Sequence, residues 1–131
     1  MLQIDTDRLC DRAAEAAVLG SMITDHRTIP AVLEFLTSES FFLEEHRRIF
    51  EAIMRVWRRN PGGALDGLLL RSELESAKEL SDIGGLTYLQ RVVDNVPTAE
   101  NARYYAQRVA EKQRYRRLVA TVEKMENIID E

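Results

Sequence analysis

Two histidines, one cysteine and several neighbouring carboxylates are the residues of this chain that could carry chemistry, and their spacing decides against most of it. His26 and His46 fall in different segments, and neither an H-x-x-x-H nor an H-E-x-x-H pattern occurs. No pair of histidines can therefore share one helix face around a metal ion. His46 follows Phe42 by one helical turn and precedes Phe50 by another. That register puts it on or beside an apolar stripe, the place of a satisfied core histidine rather than of a ligand or general base. Glu44 and Glu45 are adjacent, cannot both face one site, and read as acids of a helix start. Cys10 has no placed base, and a lone cysteine rules out an internal disulfide or a thiolate metal cluster. Neither G-x-x-x-x-G-K-[ST] nor G-x-G-x-x-G is present, so Gly62-Gly63 and Gly84-Gly85 read as turn residues. No catalytic residue, metal or cofactor is expected of this chain.

Binding chemistry is better represented. Between Asn101 and Leu118 stand Arg103, Arg108, Lys112, Arg114, Arg116 and Arg117, against the single acid Glu111. The plainest reading is a solvated helix face; the sharper one is an electrostatic surface for an acidic partner or nucleic acid. A formal net charge of −4 argues against non-specific nucleic-acid binding as the main task, which requires several phosphates to be neutralised. Beyond the basic run, Tyr115, Leu118, Val122, Met125 and Ile129 recur at alternating intervals of three and four. This is a heptad-like seam, and a small body cannot easily cover it.

The elements that must position these residues all carry helical spacing. Asp11 can cap a helix over Arg12–Ile23, whose Gly20 suggests a close helix crossing. Thr28 can start a short helix reaching about Leu36, with Pro30 in its first turn, and Thr37 to Ser40 form a polar loop. Phe41–Asn60 is expected to be the central helix on which the rest packs, with Phe42, Ile49, Phe50, Ile53, Val56 and Trp57 buried. Asn60-Pro61-Gly62-Gly63 breaks the chain. Asp66 then caps a helix carrying Leu68, Leu69, Leu70 and Leu74. Another break at Ser81–Gly85 precedes a short helix over Leu86–Val96, closed by Pro97. From Thr98 to Ile129 neither Gly nor Pro interrupts, which gives a helix of roughly 45 Å.

The expectation is an all-α fold, a compact bundle of about six helices: an N-terminal lead (1–11), a helical globular head (12–97) and a long last helix (98–131). With 131 residues, 45% apolar and 31% charged, the chain has the size and composition of one domain. No apolar run reaches the length of a membrane span and no secretion signal is apparent, so a cytoplasmic protein is expected.

Five blocks in this order, A-E-A-A-V-L-G-S-M-I (14–23), F-F-L-E-E-H-R-R-I-F-E-A-I (41–53), I-G-G-L-T-Y-L (83–89), V-P-T-A-E-N-A-R-Y-Y-A (96–106) and Y-R-R-L-V (115–119), resemble the N-terminal domain of the DnaB family of bacterial replicative helicases. The resemblance covers the chain from about Arg12 onward. It departs at the start, where the family more often has a proline-containing lead and an acid at the place of Ala13, and at 60–64, where this loop is slightly longer. The resemblance implies a non-catalytic adaptor. Such domains pair through a helical hairpin, form a collar with other helicase subunits, and bind the C-terminal helicase-binding domain of primase. ATP, Mg and DNA engagement would belong to a motor domain that these residues do not contain. The last helix would be the first arm of the hairpin. Tyr88, Val119 and Met125 align with the primase-facing positions, alongside Leu118, Val122 and Ile129 of the seam. A nucleic-acid-binding helical module and a stand-alone regulator of the helicase–primase complex are the alternatives.

Overall fold

In the computed structural model, which describes residues 6–96 and 98–130, side-chain caps set the start of several elements. Asp11 Oδ1 accepts from the Ala14 amide at 3.0 Å and opens α2 (Arg12–Thr24), after the single turn α1 (Thr6–Leu9). That turn lies within the expected lead. Burial pushes the Asp11 carboxyl up, but the Ala14 amide and Arg108 outweigh it and hold the group below its ordinary value. Asp66 Oδ1 likewise accepts from the Leu69 amide at 2.7 Å and opens α5 (Gly67–Ser76). The other elements are α3 (Ile29–Leu33), α4 (Glu44–Arg59), α6 (Gly85–Asp94) and α7 (Ala102–Asp130), with 3₁₀ turns at His26–Thr28, Ser38–Ser40 and Ala99–Asn101. No strand occurs among the described residues, and the fold is all-α as expected. The expected helix stop at Pro97 lies outside the described residues.

The hub of the bundle is α2, not α4. α2 packs against α7, α6 and α4, whereas α4 packs mainly against α5 and α2. The reason is composition: Ala14, Ala17, Val18, Leu19, Gly20, Ser21, Met22 and Ile23 are all buried, so α2 is apolar nearly all round and can be surrounded. Gly20 serves the expected close crossing, since a Cβ there would meet the Val92 carbonyl and the Val96 side chain. The amphipathic α4 buries His46, Ile49, Phe50, Ala52, Ile53 and Met54, while Phe42, Val56 and Trp57 are only half-buried. Trp57, expected in the core, packs against its margin and stays only half-buried.

Local chemistry shifts two boundaries and one buried face. α4 begins at Glu44, three residues after the expected start, because Ser38–Ser40 forms its own turn, in which Ser40 Oγ accepts from the Thr37 amide at 3.0 Å. α3 ends at Leu33, short of Leu36, and Thr28 does not cap it; the Thr28 hydroxyl donates back to the Asp25 carbonyl at 2.8 Å. Leu68 and Leu69 are exposed on α5, so only Leu70 and Leu74 reach the core. Arginines of α4 reach across to the neighbouring segment: Arg55 binds Glu73 and Glu79, Arg59 binds Glu73, and Arg48 binds Glu79 and Asp82.

At 29 residues, α7 is about 44 Å long at about 1.5 Å per residue. Its first half packs into the bundle through Ala102, Ala106, Val109 and Ala110. Its second half leaves Leu118, Met125, Ile128 and Ile129 between 58% and 81% exposed.

Candidate functional site

Two places concentrate unusual residues: a buried polar cluster where α2, α4 and α6 meet, and the far half of α7. The cluster is centred on Glu15, which sequence reasoning passed over. Its carboxylate is buried on α2 and accepts from the Phe42 amide at 2.8 Å and, more weakly, from the Leu43 amide at 3.5 Å. These are the amides leading into α4, a helix whose N-cap residue Leu43 supplies no side-chain acceptor. Glu15 thus terminates a helix to which it does not belong.

His46 completes the cluster. Its Nδ1 lies 2.8 Å from Glu15 Oε1 and its Nε2 lies 2.5 Å from the Tyr88 hydroxyl. The partners assign the tautomer: Nδ1–H donates to the carboxylate, and Nε2 accepts from the phenol. The rings of His46 and Tyr88 stack, with centroids 5.8 Å apart and planes inclined by 18°. Burial raises the Tyr88 phenol above its ordinary pKa. Cys10 Sγ approaches Glu15 Oε2 at 3.5 Å, and burial together with the Glu15 carboxylate pushes this thiol up to about 12. A thiol held protonated in this way is no nucleophile at neutral pH. The cluster is a clasp between helices that also fixes how Tyr88 is presented on α6.

Arg116 of α7 closes the same region. Its guanidinium donates to the Leu9 carbonyl at 2.6 Å and the Ser40 carbonyl at 2.7 Å, and lies 5.3 Å over the Phe42 ring. Burial lowers its pKa, against the opposing pull of Glu15 and Cys10. The six basic residues read from the sequence consequently do not form one array. Arg116 points inward, Arg108 pairs with Asp11 at 3.0 Å, and Arg103 lies near Glu34 at 3.7 Å and over Phe35. Lys112 is half-buried, while Arg114 and Arg117 face solvent.

The apolar positions also divide. Leu118, Met125 and Ile129 are exposed on the outer half of α7, and Val119 and Val122 are half-buried beside them. Tyr88 belongs to another part of the fold, against α2 and α4. Among the described residues no group of three or more His, Cys, Asp or Glu could hold a metal ion, and no helix is long and apolar enough to cross a membrane.

This architecture has close counterparts. The family model of the DnaB-like helicase N terminal domain matches residues 7–111. The replicative DNA helicase DnaB of Geobacillus stearothermophilus is 41% identical over 108 residues, which is 82% of this chain and 23% of that protein. The DnaB of Mycobacterium leprae is 42% identical over 109 residues, 83% of this chain and 18% of that protein. The chain therefore spans less than a quarter of the length of either relative. The crystal structure of the N-terminal domain of DnaB helicase from Mycobacterium tuberculosis superposes with a TM-score of 0.82 at 39% identity, covering 88% of this chain and 81% of that one. A solved structure of a DnaB-like replicative helicase and its interactions with primase gives a TM-score of 0.74 at 25% identity, covering 92% of this chain and 28% of that one. With most of its length matched by the family model and its fold shared with a solved domain of that family, the chain belongs to the family of DnaB-like helicase N-terminal domains.

Proposed function

We propose that this chain is the adaptor domain of a replicative DNA helicase, non-catalytic in itself, which joins helicase subunits to one another and to the C-terminal region of primase. The observation that carries the reading is the apolar stripe on the second half of α7, where Leu118, Met125 and Ile129 stand 58% to 81% exposed with no part of the bundle over them. An isolated soluble helix face of this kind is stabilised by a partner that covers it. The likeness to a helicase described together with its interactions with primase supports primase as one such partner. A second helicase subunit, pairing along the heptad-like spacing, is the other. ATP hydrolysis, its Mg requirement and DNA translocation belong in this reading to a motor outside these residues. The nucleic-acid reading has less support, since Arg103, Arg108 and Arg116 are already engaged within the chain.

Leu118→Asp and Met125→Asp test the reading by sedimentation and by titration with a primase C-terminal fragment. Both variants should keep the helical circular dichroism of the parent and lose self-association, primase affinity or both. Unchanged sedimentation together with unchanged primase affinity would refute it. A titration with single-stranded DNA at low and high salt checks the alternative, which requires binding that falls steeply with salt.

A further inference from the structure

Between α2 and α6 runs a groove that neither the buried clasp nor the α7 stripe uses. It encloses about 460 Å³. Its floor is apolar, made by Ala13, Ala16 and Val92, and Tyr88 forms a wall whose hydroxyl is already held by His46. One rim carries Arg12 and the other Arg91. Arg12 pairs with Glu45 at 3.1 Å and also engages the Tyr88 hydroxyl, yet its side chain remains 64% exposed. Arg91 is exposed and has no acidic partner among the described residues. The contrast with the α4–α5 side is informative, because there Arg48, Arg55 and Arg59 are each neutralised by acids of the same chain. In a chain of net charge −4, this apolar cleft is bordered by one guanidinium without an acidic partner among the described residues, Arg91, and one that is paired but still largely exposed, Arg12.

We propose that the groove between α2 and α6 docks an acidic segment of a protein partner, with a small aliphatic side chain seated between Ala16 and Tyr88 and carboxylates meeting Arg12 and Arg91. Guanidinium and carboxylate pair as a planar fork, which fixes orientation as well as charge. Two cations on an apolar cleft do not suit a phosphate backbone, which needs a longer run of them. The inference rests on the adaptor reading only for the class of partner; its surface is separate from the α7 stripe.

The test uses the full 131-residue chain and two synthetic helical peptides, one with Leu and Ala on one face and Glu on the other, the second with Lys in place of every Glu. Fluorescence anisotropy at low and high salt compares the parent chain with Arg91→Glu and Ala16→Trp, each first checked by circular dichroism. The acidic peptide should bind the parent, more weakly as salt rises. Arg91→Glu should lower that affinity by about tenfold and gain affinity for the Lys peptide, because a charge reversal turns attraction into repulsion. Ala16→Trp should abolish binding by filling the cleft. The proposal is overturned if the acidic peptide does not bind the parent or binds both variants equally well. It is also overturned if Arg91→Glu changes the sedimentation of the free chain, since the groove would then be a contact between copies. Leu118→Asp and Met125→Asp should leave peptide binding intact. Loss of the peptide result alone therefore removes the groove, and loss of the α7 result alone removes the stripe.

Discussion

His46 Nδ1 lies 2.8 Å from Glu15 Oε1, joining two buried side chains that the sequence holds 31 positions apart. The carboxylate satisfies the histidine and the entry to α4 together, so it acts as a joint between helices and not as a surface acid. Glu15→Ala leaves the Phe42 amide and the His46 Nδ1–H without their acceptor in a buried setting. A loss of about 3 to 5 kcal/mol is expected. Glu15→Gln retains one acceptor oxygen and should cost clearly less. Urea unfolding of both variants, with an unchanged slope, measures this; a Glu15→Ala midpoint close to that of the parent would contradict the account.

Cys10 should resist alkylation in the folded chain at pH 8 and react only after denaturation, since its thiol is pushed up to about 12 from an ordinary value of 9.0. The linkage has a definite sign. Between pH 9 and 12 the unfolded thiol loses its proton while the folded one keeps it, so the folded state binds more protons and stability falls as pH rises. Below pH 9 the contribution is fully present. Comparing the parent with Cys10→Ala by thermal melts across this window isolates the effect: the parent should lose stability more steeply than the variant.

Replacing Arg116 should behave unlike replacing its neighbours. Arg116→Ala removes two charge-assisted bonds to the Leu9 and Ser40 carbonyls and should cost roughly 1.5 to 3 kcal/mol. Arg114→Ala and Arg117→Ala, both at solvent-facing positions, should leave the unfolding transition where it is. Parallel denaturation curves decide the matter, and equal behaviour of all three would show that the inward contacts do not hold in solution.

Ile53 is fully buried on α4 and Trp57 is not. Ile53→Ala should cost about 2 to 5 kcal/mol, and Trp57→Ala, although it removes more atoms, should cost less. Chemical denaturation with a far-UV readout suits both variants, because the second has no tryptophan fluorescence left.

Much of the fold is legible in the sequence because its signals are local. Asp11 and Asp66 stand immediately before helical spacing and do cap, and Gly20 inside an otherwise apolar helix does mark a close approach. Side-chain size misled at Trp57, which is only half-buried, since the apolar surface a residue offers does not fix how much of it its neighbours cover. The contacts of Glu15 were not legible. His46 and Tyr88, which complete its cluster, are 42 positions apart, and no periodicity encodes such a pairing. One trace was available: Glu15 is the only charged residue between Arg12 and Asp25, within a helix of small and apolar residues. The basic run on α7 shows the same limit, because spacing alone does not reveal that Arg116 turns inward while Arg117 faces solvent.

The bonds from α7 back to the start of the chain bear on biosynthesis. Arg108 reaches Asp11 across 97 positions and Arg116 reaches Leu9 across 107. α2, the most enclosed helix, finds its most extensive neighbour in α7, the last of the described elements to be made. At about 5 to 20 residues per second on the ribosome, that neighbour follows α2 by roughly 5 to 20 s. Throughout that interval the flank of α2 that faces α7 has no native cover, so this part of the nascent chain is open to chaperones and to aggregation until α7 emerges.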